Sequence, residues 1–251
     1  MNILLVGMYG HMGREVLKLA EKNTQNAVVV LGVDPNTDGS DSRCVKSFAE
    51  AEARDISAVD CIVDFSHHSS ADTLIAFAVK HNKPVIVATT GHTPEEAEMI
   101  RAAGAQIPVF FSANMSLGIA LLVELAKKTA AAMPDAEIEI IEKHHDRKLD
   151  APSGTALMLC NAIQEVRPEA YPVCGRSGHG KRTPEEIGVH AIRMGNIVGE
   201  HEVIIGTPNQ TLTLRHEAHD RALFAEGALS AAKFLAGKPA GLYTMADIVK
   251  E

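Results

Sequence analysis

The chain opens with a short apolar run, Asn2 to Val6, that breaks at Gly7. A helical pattern follows from Arg14, in which Val16, Leu17, Leu19 and Ala20 suit one buried face. Ala27 to Val33, Asp60 to Phe65, Pro84 to Thr89 and Pro108 to Ser112 are further apolar runs of strand length. Near-continuous runs of this kind belong to strands covered on both faces. Ala71 to His81 has helical spacing, and Thr93 to Glu96 is a helix start, with Thr93 as N-cap, Pro94 in the first turn and Glu96 closing a capping box. Strand alternating with helix predicts a doubly wound parallel sheet.

Beyond Asn114 the period changes. Ser116 to Met133 reads as one long helix ending near Pro134. Ala136 to Glu142 alternates, Ile138 and Ile140 against Glu137 and Glu139, as a half-buried strand does. Alternating runs recur at Gly188 to Met194, Ile197 to Ile205 and Gln210 to His216, with turn residues at Gly195-Asn196 and Thr207 to Gln210. Short turns between such runs predict a mixed, mainly antiparallel open sheet, half covered by helices. Arg221 to Ala236 is helical again, with an apolar stripe through Leu223, Phe224, Ala228, Leu229, Ala232 and Leu235.

Composition narrows the function. The 251 residues, 46% apolar and 22% charged, allow one large or two modest cores. A formal charge of −8 without a long basic stripe argues against nucleic acid as a partner. No apolar run reaches a membrane span, and the first residues lack the basic start of a signal peptide, so neither membrane nor export is expected. Cys44, Cys61, Cys160 and Cys174 have no CxxC spacing, which suits free thiols in the cytoplasm. The 12 histidines form no HExxH pattern and no cysteine cluster supports zinc, so no metal is expected.

Two segments carry chemistry. In the first, Gly7, Gly10 and Gly13 lie between a strand and a helix. Gly10 and Gly13 match the last two glycines of the Rossmann fingerprint, and Gly7 sits one residue earlier than usual. Asp34 ends the next strand, 21 residues after Gly13, placed to accept the hydroxyls of an adenine ribose. In the second, His144, His145, Arg147 and Lys148 immediately precede Pro152-Ser153-Gly154-Thr155, a turn with the hydroxyls of a helix start. Free N–H groups there hold anions, imidazole passes protons near neutrality, and lysine is a compact cation. An anionic substrate that must be protonated fits this cluster.

The stretch Glu142 to Ala156 closely resembles the signature of the 4-hydroxy-tetrahydrodipicolinate reductase (dihydrodipicolinate reductase) family, and the resemblance extends from Gly7 through Arg193 to His201 and on to Gly241 to Asp247. It implies an α/β fold: a Rossmann-type dinucleotide-binding domain, residues 1–115 and 221–251, and an α+β substrate-binding and oligomerisation domain, residues 116–220. It implies reduction of 4-hydroxy-tetrahydrodipicolinate to tetrahydrodipicolinate with NAD(P)H in diaminopimelate and lysine biosynthesis, by a cytoplasmic homotetramer acting on a small dicarboxylate. His144 corresponds to the proton donor and Lys148 to the second catalytic residue; His145, Gly154 and Thr155 correspond to substrate-binding positions. The cofactor positions implied are Gly7, Met8, Tyr9, Gly10, His11, Met12, Asp34, Ala88, Thr89, Thr90, Ser112, Ala113, Asn114 and Met115. His11 and Pro35 depart from relatives that carry arginine near the acidic position, so NADH is favoured and NADPH used less well.

The basic loop Cys174 to Pro184 reads either as a flexible linker or as a flap over an anionic ligand. Two other functions share part of the pattern. An amino-acid or semialdehyde dehydrogenase has the glycine loop but no reason for His144 and Lys148 before a Pro-Ser-Gly-Thr turn. A non-catalytic dinucleotide sensor has no need of proton donors at all.

Overall fold

The computed structural model describes residues 1–251 and divides into two compact units, Met1–Ser116 with Ala222–Glu251, and Leu117–Arg221. In chain order the first stretch holds β1 (Asn2–Val6), α1 (His11–Glu21), β2 (Val28–Val33), β3 (Cys44–Val45), α2 (Phe48–Ala51), β4 (Cys61–Asp64), α3 (Ala71–Lys80), β5 (Val85–Val87), α4 (Pro94–Ala103) and β6 (Pro108–Phe111). The second unit holds α5 (Leu117–Ala132), β7 (Glu137–His144), α6 (Gly154–Gln164), β8 (Tyr171–Cys174), β9 (Glu186–Arg193), β10 (Gly199–Thr207) and β11 (Gln210–Ala218). The chain then returns to the first unit as α7 (Ala222–Leu235), β12 (Gly241–Tyr243) and α8 (Met245–Lys250). No helix is long and apolar enough to cross a membrane.

The first unit's sheet runs β12-β6-β5-β4-β1-β2-β3, every pair parallel. Ile3, Leu4, Leu5, Ile62, Val63, Val85 and Ile86 are fully or almost fully buried, which is why these runs carry no polar alternation. Strand order reverses between β1 and β4, the place where sheets of this kind leave a crevice beyond the strand ends. α1 starts at His11 rather than Arg14, so Gly13 lies inside the helix. A Cβ on Gly13 would sit 2.1 Å from the Gly7 carbonyl oxygen; only glycine lets the helix approach β1 this closely. Gly7 itself has φ +77°, the left-handed region, and its N–H donates to the Val33 carbonyl at 2.9 Å. The capping box of α4 is present, with Thr93 and Glu96 side chains each accepting the other's backbone N–H.

The second unit's sheet runs β11-β10-β7-β9-β8 and is mixed. β10 is antiparallel to β11 and β7; β7, β9 and β8 are mutually parallel. Runs joined by Gly195-Asn196 suggest a hairpin, yet β9 and β10 are not neighbours, because β7 lies between them. The isoleucines of β7 explain its central place: Ile138 and Ile140 are buried with Val189, Val203 and Ile205 under α5 and α6. The opposite face is mixed: Lys143, Glu200, Arg215 and Glu217 are linked by ion pairs, and Ile141, Ile192 and Ile204 stand among them, none fully buried.

Candidate functional site

In the first unit, a cavity of about 620 Å³ opens at the β1/β4 reversal. Its wall includes Gly7, Tyr9, Gly10 and Asp34, together with residues that follow β3 and β4. Asp34 is 2% exposed, and its carboxylate accepts from the Tyr9 N–H at 2.8 Å and the Asn36 N–H at 2.9 Å. Each oxygen keeps a lone pair for a further donor. Met8 points the other way: it is 1% exposed and packs under Gly32, where a Cβ would meet its sulfur. His11 is exposed and stands outside the cavity wall with Met12. Ala88, Thr89 and Thr90 follow β5, and Ser112, Ala113, Asn114 and Met115 follow β6, at the same edge of the sheet. Met115 is buried against Gly227, where no side chain would fit.

These residues suit a dinucleotide. A glycine turn without room for Cβ atoms brings backbone close to a ligand, an acid stands at the end of β2, and the cavity has the size of a small-molecule site. The sequence also suggests that nothing near Asp34 would neutralise a phosphate. The fold supplies a cation there, Lys46, from the end of the two-residue strand β3.

In the second unit, the chemistry gathers where β7 ends and α6 begins. Glu142 and His144 are two residues apart on β7 and so share a face. Glu142 is 0% exposed. Arg193 of β9 grips it with two nitrogens at 2.8 and 2.7 Å, and the Ser153 N–H donates to it at 3.0 Å. Its remaining bond, 2.6 Å, is to His144 Nδ1. A carboxylate so surrounded only accepts, so Nδ1 carries the proton and Nε2 is left for a ligand. Burial alone would raise the Glu142 carboxyl, but Arg193, His144 and the Ser153 N–H together hold it below the usual range. Burial pushes His144 below the ordinary imidazole value, and the Glu142 carboxylate opposes the shift; the charges of Lys148 and Arg193 add to it. Gly199 lies beneath the ring, where a Cβ would come within 3.1 Å of Nε2.

His201 completes the wall. Its ring meets that of His144 edge-on at 5.2 Å, and its Nε2 is 3.1 Å from the Ser153 hydroxyl. Burial pushes its pKa down to about 4, so it stays neutral. Ser153 caps α6 by accepting the Ala156 N–H. A Cβ on Gly154 would meet nothing within 4 Å, so open space lies over the helix start beside Thr155. The Lys148 ammonium rests on Asp150 at 2.8 Å, and His145 Nδ1 is buried without a hydrogen-bond partner. Of the basic loop, Arg176 is tied to Glu186 and Arg182 to Glu137 and Glu139, while His179 and Lys181 are exposed.

Sequence reasoning assigned no role to Glu142, Arg193, His201 or Ser153 in holding His144. Only Glu142 left a readable sign, its two-residue spacing from His144 on an alternating strand. Arg193 and His201 reach the site from strands whose neighbours are fixed by the whole sheet.

Both halves of the chain have counterparts among known proteins. Residues 1–115 match the family model for the N-terminus of dihydrodipicolinate reductase and residues 118–249 the model for its C-terminus. The chain is 46% identical over its whole length to the 4-hydroxy-tetrahydrodipicolinate reductase of Caldanaerobacter subterraneus subsp. tengcongensis, spanning 98% of that protein. It is 42% identical over 97% of its length to the reductase of the same name from Clostridium tetani, spanning 95% of it. A dipicolinate-bound dihydrodipicolinate reductase from Paenisporosarcina sp. TG-14 shares the fold, with a TM-score of 0.78 at 24% identity and 99% of each chain covered. With both halves matched in order and close relatives aligned end to end, the chain belongs to the dihydrodipicolinate reductase family.

Proposed function

We propose that this chain reduces 4-hydroxy-tetrahydrodipicolinate to tetrahydrodipicolinate, with His144 as proton donor and Lys148 as the cation that stabilises charge developing on the substrate. The observation that carries the reading is the Glu142-held imidazole beside a lysine at an open helix start. As a member of its family the chain is a nicotinamide-dependent oxidoreductase of lysine and diaminopimelate biosynthesis. The reduced nicotinamide, when bound, supplies the hydride.

The remaining chemistry falls to side chains. Gly154 and Thr155 at the start of α6 hold one substrate carboxylate, and the buried, unpartnered Nδ1 of His145 offers a further polar contact. An anion bound there favours the imidazolium form of His144. The ligand thus charges the acid that protonates it, while the resting ring stays neutral. The 4-hydroxyl leaves as water with a hydrogen from the neighbouring ring carbon, and the hydride and the proton from His144 add across the double bond so formed.

The cavity of the first unit holds the adenine half of the cofactor, its ribose on Asp34, which favours NADH over NADPH. The uncovered face of the second sheet, with Ile141, Ile192 and Ile204 among its charges, and four free cysteines fit a cytoplasmic homotetramer assembled through that face.

The test is turnover with freshly generated substrate for His144→Gln and Lys148→Ala, alongside cofactor affinity. Loss of a general acid lowers kcat by about 10²–10⁴-fold, with cofactor affinity retained. Unchanged turnover in either variant removes that residue from the mechanism.

A further inference from the structure

Lys46 stands beside Asp34 because of strand register. Gly32 pairs with Cys44 and Val33 with Val45 in the parallel β2–β3 ladder, and the Asp34 N–H donates to the Val45 carbonyl at 2.9 Å. The next residues on the two strands are Asp34 and Lys46, on backbones about 4.8 Å apart. Both line the cavity at the strand-order reversal, and Lys46 is the one lysine or arginine in its wall. The two charges are held differently. The Asp34 carboxylate is buried and fixed by two backbone N–H groups. The Lys46 backbone is anchored to Glu50 at 3.0 Å, but its side chain is exposed. The nearby Asp41 carboxylate is already occupied by Arg43 at 2.7 Å.

We propose that Lys46 is the residue through which this enzyme accepts a 2′-phosphate, so that Asp34 and Lys46 together read two cofactors. The inference deepens the reading of this cavity as the adenine-ribose site and rests on it. A ribose diol donates to the two oxygens of Asp34, each of which retains a lone pair. A 2′-phosphomonoester carries about −1.5 to −2 charge near neutral pH and is repelled by Asp34 alone. The lysine offers a compact charge with three donors on a flexible stem. It turns onto the phosphate when one is present and into solvent when a diol takes its place. A fixed acid with a movable cation at its side admits both cofactors, where an acid alone would admit one.

Calorimetric titration of NADH and NADPH into the wild type, Lys46→Ala, Lys46→Arg and Asp34→Asn tests this. In Lys46→Ala the affinity for NADPH relative to NADH falls about tenfold, the loss of one charge-assisted contact. Lys46→Arg restores the ratio. The wild type's NADPH affinity drops more steeply with salt than its NADH affinity, and Lys46→Ala removes that difference. A ratio unchanged in Lys46→Ala, with NADH weakened by Asp34→Asn, overturns the role of Lys46 and leaves the cavity as the nucleotide site. If neither Asp34→Asn nor Lys46→Ala alters either affinity, the cavity is not the nucleotide site and the inference falls with it.

Discussion

Replacing Arg193 by Met keeps a long side chain in place but strips Glu142 of its principal partner. The arginine makes two bonds to that carboxylate, at 2.8 and 2.7 Å, and one to the Asp150 carbonyl at 2.7 Å. Glu142 is 0% exposed and cannot turn to water. Removing one partner of a buried ion pair costs about 3–5 kcal/mol, because the other charge stays buried. The cost depends on pH, and its sign follows from the carboxyl's shift. In the wild type the folded value lies below the ordinary 4.5, so the pair's stabilisation is present above that pH and fades as pH falls through the folded value. Without Arg193, burial dominates and the folded value rises above the unfolded one. The variant is then penalised increasingly as pH climbs past about 4.5. Urea unfolding of both proteins near pH 4 and near pH 7.5, with hydrogen exchange of β7 and β9 peptides assigning the transition to the second unit, measures the gap. It should approach about 3–5 kcal/mol at the higher pH and shrink at the lower. Adding Glu142→Gln to Arg193→Met should recover part of the loss at neutral pH, since no buried charge remains. A gap independent of pH, or under about 1 kcal/mol at neutrality, refutes the account of Glu142 as a buried, compensated carboxylate.

Two glycines invite opposite outcomes. Gly13→Ala places a Cβ 2.1 Å from one backbone oxygen and 2.6 Å from another, so soluble yield and melting temperature should fall, whereas Gly154→Ala meets nothing within 4 Å and should melt like the wild type while raising the substrate KM. An unaltered KM would remove Gly154 from the carboxylate site. Among the thiols, Cys44, Cys61 and Cys160 are buried and only Cys174 is exposed, and burial pushes Cys61 up to about 12 and Cys160 to about 11. Native protein should therefore react with Ellman's reagent at one thiol per chain, and rapid labelling of two or more would contradict this burial pattern.

The first unit was legible in the sequence because its signals are local. Buried parallel strands are written as unbroken apolar runs, and glycines that touch backbone tolerate no substitute. What escaped was short or distant. β3 and β12 span two and three residues, too few for any period, and with β3 went the neighbourhood of Lys46. β8 ends where the basic loop begins and shows no buried face, since Tyr171 and Pro172 on it are exposed. The insertion of β7 between β9 and β10 depends on which strand best fills the space under α5 and α6, a property of the assembled sheet. For the same reason the histidine and lysine of the candidate site stood out by spacing, while Arg193 did not.

The return of α7, β12 and α8 to the first unit has a consequence for biosynthesis. α7 packs on α1 and on strands β4, β5 and β6, and β12 closes the sheet's edge against β6. The first unit therefore stays unfinished on the ribosome until α7, β12 and α8 have followed the whole of the second unit. The contiguous segment 117–221 contains all five strands of its own sheet and emerges first as a foldable whole. A nascent chain stalled before α7 would display the sheet surface that Ala228, Leu229 and Ala232 normally cover, a target for chaperones.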